Sequence, residues 1–239
     1  MLFPLGDDNS GRQTTPIVNY ALIAANVLVF LIQMTAGDPF TNGWSTVPYE
    51  ITHGTDIVRT ISISAGGQTG SIHLYPGPTP IYLTLLSSMF MHGSLIHIGG
   101  NMLYLWIFGD QIEDFLGHAK YLVFYLLCGF AADFAHILFN ADSMIPTLGA
   151  SGAIAGVLGA YLVKYPKNNV RVMMGRAITT VPAIVVLGLW IVLQLVNQFM
   201  DAAGAGGVAY MAHIGGFAAG VALIYLLGAK RPLPATPVP

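Results

Sequence analysis

Charged residues and cysteine are scarce in this sequence. Only 8% of its 239 residues are charged and 54% are hydrophobic, whereas about a quarter of a typical soluble domain is charged. This composition excludes a disordered chain, a collagen and a coiled coil, and argues strongly against a soluble enzyme. The net charge of -2, with no basic block, argues against nucleic-acid binding. The single cysteine, Cys128, excludes an intramolecular disulfide framework and a cysteine-based zinc site.

Long apolar runs are what the sequence has in abundance, and they predict an all-α, polytopic membrane protein. A membrane-spanning helix needs about 20 mostly apolar residues. Six stretches qualify, near residues 17–35, 94–115, 120–139, 148–165, 177–199 and 208–228. The shorter run 81–91 cannot cross a bilayer, so we expect a short interfacial or re-entrant helix there. The first stretch lacks a basic leader and a cleavage site, so it is interpreted as a span and not as a signal peptide.

These spans divide the chain into a cytoplasmic N-terminal segment (1–15), a six-helix membrane domain (16–229) and a cytoplasmic tail (230–239). Residues 36–93 form a long first external loop, in which 60–64 and 71–75 alternate in polarity and predict a β-hairpin. The positive-inside rule places both termini in the cytoplasm. Of the nine basic residues only Arg59 falls outside; the others are Arg12, Lys120, Lys164, Lys167, Arg171, Arg176, Lys230 and Arg231.

Polar side chains inside membrane helices are costly to bury, so each is a candidate functional residue. Four of them, from three predicted spans, are His97, Asn101, Ser151 and His213. Spans two, four and six all enter from the external face, so the four side chains lie within about 10 Å of that surface at 1.5 Å per residue. Asn101 is one turn below His97 on the same face of its helix. We therefore expect them to share one depth and one site.

The other polar residues of the spans lie near span ends and are interpreted as interfacial or as a cytoplasmic polar cluster. Those near the external ends are Asp133 and His136 in span three and Gln194 and Asn197 in span five. Those at the internal end of span two are Asp110, Glu113 and Asp114.

Small residues flank both Ser151 and His213 at intervals that favour close helix packing. The predicted helix-packing glycines are Gly149, Gly152, Gly156, Gly216 and Gly220. Close approach of the fourth and sixth spans would bring a hydroxyl within hydrogen-bonding distance of an imidazole, about 2.6–3.2 Å.

These residue types provide the groups that acyl transfer requires. A serine hydroxyl becomes a good nucleophile when a neutral histidine takes its proton, which suggests Ser151 and His213. The oxyanion formed on attack needs fixed donors, which His97, Asn101 and the Ser151 backbone N–H could supply. No carboxylate is placed to orient His213, so we expect a dyad and not a triad.

Each residue also has a simpler interpretation. A lone serine in a glycine-rich membrane helix usually serves packing, and a lone histidine can be an interhelical hydrogen bond. A six-span channel or transporter would carry polar groups along a path across the bilayer, whereas here they crowd toward one face. The run around Ser151 is not an α/β-hydrolase nucleophile elbow, because Ala153 stands where that motif needs glycine.

Three motifs together resemble those of the rhomboid family of intramembrane serine proteases, over roughly residues 16–229. They are His97-Ile98-Gly99-Gly100-Asn101, Gly149-Ala150-Ser151-Gly152, and Ala212-His213-Ile214-Gly215-Gly216 followed by Gly220. The resemblance implies Ser151 as nucleophile, His213 as general base, and His97, Asn101 and the Ser151 amide as the oxyanion hole. It implies no metal and no cofactor.

The resemblance further implies membrane-anchored protein substrates, cleaved in or beside a transmembrane segment in a bacterial inner membrane. Residues 81–91 would match the family's membrane-embedded first loop, and span five, with Trp190, its lateral gate. Two features depart from the family pattern. Trp44 and Arg59 are separated where many members have an adjacent Trp-Arg pair, and Ala155 stands where some members stack a tyrosine on the catalytic histidine. A non-enzymatic member that binds or escorts membrane clients is the main rival; such members lack the serine or the histidine.

Overall fold

The computed structural model describes residues 3–65, 68–200 and 208–228; the predicted tail at 230–239 lies outside them. The helices in these ranges are α1 (Ile17–Gly43), α2 (Pro48–His53), α3 (Thr84–Ser87), α4 (Leu95–Leu116), α5 (His118–Phe139), α6 (Ser151–Lys164), α7 (Ala183–Met200) and α8 (Tyr210–Leu227). The strands are β1 (Phe3–Asp7), β2 (Arg59–Ala65), β3 (Gln68–Leu74), β4 (Asn169–Met174) and β5 (Ala177–Pro182).

Four of these helices, α1, α5, α7 and α8, are each long and apolar enough to cross a membrane. Helix α4 meets the same criterion together with residues 81–90, from which it is bent by 76°. Helix α6 is apolar but only 14 residues long. The chain is therefore a mainly helical, multi-pass membrane protein with four or five candidate spans by length and composition.

The short helix α6 lies at the centre of the bundle, packed against α4, α5 and α8. Its residues 152–161 are all buried, so protein and not lipid surrounds it. Glycines make the contact with α8 very close: a methyl group added at Gly216 would overlap the Gly152 carbonyl, and one at Gly220 would overlap the Gly156 carbonyl. Backbone-to-backbone approach of this kind needs residues without side chains.

Two small antiparallel sheets make the all-α prediction incomplete. Strand β4 lies between β1 and β5 in one sheet, and β2 pairs with β3 in the other. The β2–β3 hairpin, in which Arg59 faces Leu74, confirms the hairpin predicted in the external loop. The sheet of β1, β4 and β5 was not predicted. Residues 177–182, assigned from hydropathy to span five, form β5, so the helix begins at Ala183. Apolar β-branched residues raise hydropathy equally in a strand and a helix, so hydropathy alone cannot place this boundary.

The end of the bundle at which α1 begins is held by a group of buried carboxylates that we name the basal cluster: Asp110, Glu113 and Asp114 of α4. Glu113 accepts hydrogen bonds from the backbone N–H groups of Val18 (2.9 Å) and Asn19 (2.7 Å). These amides belong to the first turn of α1, which lacks intrahelical acceptors and carries partial positive charge. An Arg12–Asp110 ion pair (2.9 Å) and hydrogen bonds from Thr14 to Asp114 fasten the preceding chain.

Residues 81–91 form short helical turns, as expected for a segment that does not cross the membrane: 3₁₀ turns at Ile81–Leu83 and Ser88–Phe90 flank α3. The Thr46 hydroxyl donates to the Thr84 carbonyl oxygen (3.0 Å) and lies 2.9 Å from the Ser88 hydroxyl. The Ser88 carbonyl oxygen in turn accepts from Gly149 N–H (2.9 Å). This segment therefore positions the chain just before α6.

Candidate active site

Ser151 is the first residue of α6, directly after a loop that only glycine can form easily. Gly149 has φ = 137°, a region that side chains rarely tolerate. A β-carbon there would lie 3.0 Å from Cε1 and Nε2 of His97 and 3.5 Å from Ser151 Oγ. Gly149 lies two residues before α6, where it lets two candidate site residues approach each other; its predicted role in helix packing stays a prediction. The Ser151 N–H belongs to the first helical turn, where amides lack intrahelical acceptors.

His213, in the first turn of α8, lies beside Ser151 although 62 residues separate them. The distance between its Nε2 and Ser151 Oγ is 2.8 Å, which is a good hydrogen bond. The close α6–α8 packing at Gly152 and Gly216 explains this approach, because bulkier residues would hold the helices apart.

The other side of the His213 ring contacts α7. The Gln194 side-chain oxygen lies 2.8 Å from His213 Nδ1. The Trp190 ring, one turn earlier, lies 5.7 Å from the imidazole centroid to centroid at 39°, and also stacks on Phe217. Gln194, predicted to be interfacial, instead contacts the histidine. Its location as the first polar side chain of α7, four residues after Trp190, was the available signal.

His97 and Asn101 lie on α4 with their side chains toward the same space. His97 N–H donates to the N-cap Ser94 hydroxyl (3.1 Å), and its Nδ1 accepts from Gly93 N–H (3.4 Å). Because an N–H can only donate, this bond leaves the proton of neutral His97 on Nε2, the atom beside Gly149. Asn101 is only 9% exposed, and among the described residues its Nδ2 has no hydrogen-bond partner.

A cavity of about 960 Å³ joins the four predicted residues, since His97, Asn101, Ser151 and His213 all border it. Asp133 and His136, predicted to be interfacial, also line it. His136 Nε2 lies 3.1 Å from the Thr147 hydroxyl, so α5 braces the loop before Ser151. Asn197, by contrast, does not border this cavity.

His92 was missed as part of this region because it precedes the span. It is only 2% exposed, its N–H donates to the Gln33 side chain (2.9 Å), and its ring lies edge-on to that of His97 with centroids 5.0 Å apart. Within the described residues, no group of three His, Cys, Asp or Glu side chains is placed to hold a metal ion.

Comparison with known proteins identifies the family. Residues 80–230 match the rhomboid domain, and this segment contains all four predicted site residues. The chain belongs to the rhomboid family. This confirms the resemblance drawn from the three motifs, and the family is one of intramembrane serine proteases, some members of which lack activity.

Relatives at 27–30% identity come from several lineages. The chain is 30% identical to Rhomboid protease GluP of Bacillus subtilis over 87% of its own length and 35% of the relative's. It is 27% identical to RHOMBOID-like protein 4 of Arabidopsis thaliana (90% and 54%), and 30% identical to the mitochondrial Rhomboid protein 1 of Saccharomyces cerevisiae (58% and 40%). The chain thus spans about a third to a half of the length of these relatives.

Proposed function

We propose that this protein is an intramembrane serine endopeptidase in which Ser151 is the nucleophile and His213 the general base. The observation that carries the proposal is the 2.8 Å contact between Ser151 Oγ and His213 Nε2 at the wall of a large cavity. A rhomboid protein without activity would have no need to hold these two atoms in this arrangement.

The reaction follows from the roles of the two side chains. Ser151 Oγ attacks the scissile carbonyl carbon while its proton passes to His213 Nε2. When the tetrahedral intermediate collapses, the C–N bond breaks, and the leaving amine takes that proton. Water then attacks the acyl-enzyme ester, with His213 accepting its proton. The C–O bond to Ser151 breaks, the serine recovers its proton, and the carboxylic product leaves.

The oxyanion of each intermediate requires donors that are already in place. Asn101 lines the cavity, and its Nδ2 is buried without a partner among the described residues. The Nε2–H of His97 lies next to Gly149. The Ser151 N–H, in the first turn of α6, is the third donor in this proposal. A buried unpaired donor costs free energy in the resting protein and becomes useful when negative charge develops beside it.

The substrates in this proposal are single-span or otherwise membrane-anchored proteins. A transmembrane helix hides its carbonyl groups in its own hydrogen bonds, so the segment to be cleaved must unwind locally. We expect preferred substrates to have glycine, proline or small residues near the site end of their span.

Cleavage of a tagged single-span substrate by the purified protein in liposomes tests the proposal. Ser151→Ala and His213→Ala should each abolish cleavage, whereas Ser62→Ala and His73→Ala in the β2–β3 hairpin should leave it unchanged. Cleavage by Ser151→Ala at the wild-type rate would refute the site. Binding of the substrate without cleavage by the wild type would favour the non-enzymatic, client-binding function.

For topology we propose six spans, with α4 and α6 joining the four long helices, and with both termini in the cytoplasm of a bacterial cell. The basic residues support this orientation, and a bacterial relative supports a bacterial cell membrane, while another relative is mitochondrial. Cys128 is buried, so cysteines introduced at Ser10 and Asp56 can report sidedness. A membrane-impermeant maleimide should label Asp56→Cys from outside and Ser10→Cys only after lysis; the reverse would overturn the orientation.

A further inference from the structure

The side chain of Gln194 contacts the proposed catalytic base from a helix that carries neither member of the dyad. We propose that Gln194 is a positioning residue that fixes the tautomer and ring orientation of His213, in place of the carboxylate of a triad. This inference rests on the proposed function and adds a third participant to it.

The orientation of the Gln194 amide follows from its two contacts. Its Nε2 lies 3.5 Å from the Trp190 carbonyl oxygen, and a carbonyl can only accept. The NH₂ group therefore faces Trp190, and the amide oxygen faces His213 Nδ1 at 2.8 Å. An amide oxygen can only accept, so the proton of the neutral imidazole is on Nδ1.

This assignment leaves the His213 Nε2 lone pair free to accept the Ser151 hydroxyl proton. The other tautomer would put a proton on Nε2, where it would block proton abstraction and leave the Gln194 oxygen facing a second lone pair. The bond also restrains rotation of the ring, together with Trp190, whose ring lies beside the imidazole. Ala155 provides no aromatic ring at the position where some rhomboids place a tyrosine, so α7 supplies the support instead.

The buried residues of α7 lie at one end of the helix, so the support that it gives to His213 depends on the position of its other end. Its buried residues, Ala183, Val186 and Leu187, all belong to its first five residues. Trp190 and Gln194 lie beyond them, and their contacts to α8 hold this part of the helix against the site. His213 therefore has its Gln194 and Trp190 contacts only while α7 stays close to α8.

Two substitutions separate positioning from packing. Gln194→Met preserves the length of the side chain but removes the acceptor, and should lower kcat about tenfold, the value of one lost hydrogen bond, with little change in KM. Gln194→Glu restores an acceptor and should recover part of kcat. Leu195→Met, on the exposed side of the same helix, is the control and should match the wild type.

The pH–rate profile provides the signature that a purely structural role would not produce. A carboxylate beside Nδ1 favours the protonated imidazole, so Gln194→Glu should move the acid limb to higher pH. Among the described residues, the other titratable groups that border this site are His97 of α4, Asp133 and His136 of α5, and Tyr210 of α8, and they are the same in every variant. Wild-type kcat in Gln194→Met, or a profile unshifted in Gln194→Glu, would overturn the proposal.

A measurement independent of catalysis distinguishes this proposal from the proposed function. In ¹⁵N-histidine-labelled Ser151→Ala protein, His213, assigned by loss of its signals in His213→Ala, should show a protonated Nδ1. Adding Gln194→Met should abolish this preference. A wild type without Ser151-dependent cleavage would refute the protease, whereas unchanged His213 signals in Gln194→Met would refute the positioning role alone.

Discussion

Asn101 and Glu113 are both buried polar residues of α4, the first nearly two turns from its start and the second about one turn from its end, but their surroundings differ. Glu113, in the basal cluster, accepts from two backbone amides of α1 and contacts the His118 ring nitrogen at 2.5 Å. Asn101, at the cavity, has a side-chain nitrogen without a partner among the described residues. One helix therefore carries a buried polar side chain with several hydrogen-bond partners near one end, and a buried polar side chain with an unpaired donor toward the other end.

The difference separates structural from functional polar groups. A buried donor left unpaired costs about 1–3 kcal/mol, so a fold that needed Asn101 only for stability would be better served by an apolar residue. Glu113, in contrast, would leave helix-start amides unpaired if it were removed. We expect substitutions in the basal cluster to alter stability and those at the cavity to alter activity.

Outside the Ser151–His213 dyad, Asn101→Leu should produce the largest effect on activity. Loss of one oxyanion donor should lower kcat/KM by about 10²–10³-fold, while the melting temperature should stay the same or rise, because a buried unpaired amide is removed. Cleavage kinetics and thermal unfolding of the same preparation measure both. If a loss of stability accounted for the lost activity, Asn101 would have a structural role, and this prediction would be wrong.

Glu113→Ala should show the opposite pattern. The free energy of unfolding should fall by about 3 kcal/mol, because buried amides and the His118 contact lose their partner. The kcat of the folded fraction should remain near wild type. Asp38→Ala removes an exposed carboxylate and is the matched control. A large fall in kcat without destabilisation would contradict the structural role assigned to Glu113.

Gly216→Ala should damage both properties, because the α6–α8 contact serves the core and the dyad alike. The added methyl group overlaps the Gly152 carbonyl, which should cost about 1–3 kcal/mol in overpacking and lengthen the Ser151–His213 contact. Gly99→Ala is the control, since no atom lies within 4 Å of its added carbon. Equal behaviour of the two variants would show that the close approach is not needed.

The smallest effect concerns Glu50, in the short helix α2 between α1 and β2. Burial, with Asp56 nearby, raises the pKa of Glu50 to about 6 from 4.5. The folded state therefore binds this proton more tightly than the unfolded state, so stability is greatest below pH 4.5 and declines as the pH rises through about 6. Glu50→Gln should flatten this part of a stability-against-pH curve, and an unchanged slope would contradict the assignment.

The family was predicted from the resemblance of three motifs, and the shared depth of the four proposed site residues was predicted because depth in a membrane can be counted from span ends. His97, Asn101, Ser151 and His213 required only helix rise and the parity of the spans. The remaining features depend on tertiary geometry. The Gln194 contact depends on how α7 crosses α8, and the position of Gly149 depends on a loop that its neighbours shape. The boundary between β5 and α7 lies within one apolar run, so hydropathy alone cannot locate it.

Covalent labelling of Ser151 by a fluorophosphonate tests the central claim most directly. Mass spectrometry of the labelled wild type should locate the adduct on Ser151, and the rate of labelling should fall sharply in His213→Ala but not in His73→Ala. An unlabelled Ser151 in folded protein, or labelling at the same rate without His213, would contradict a serine activated by this histidine.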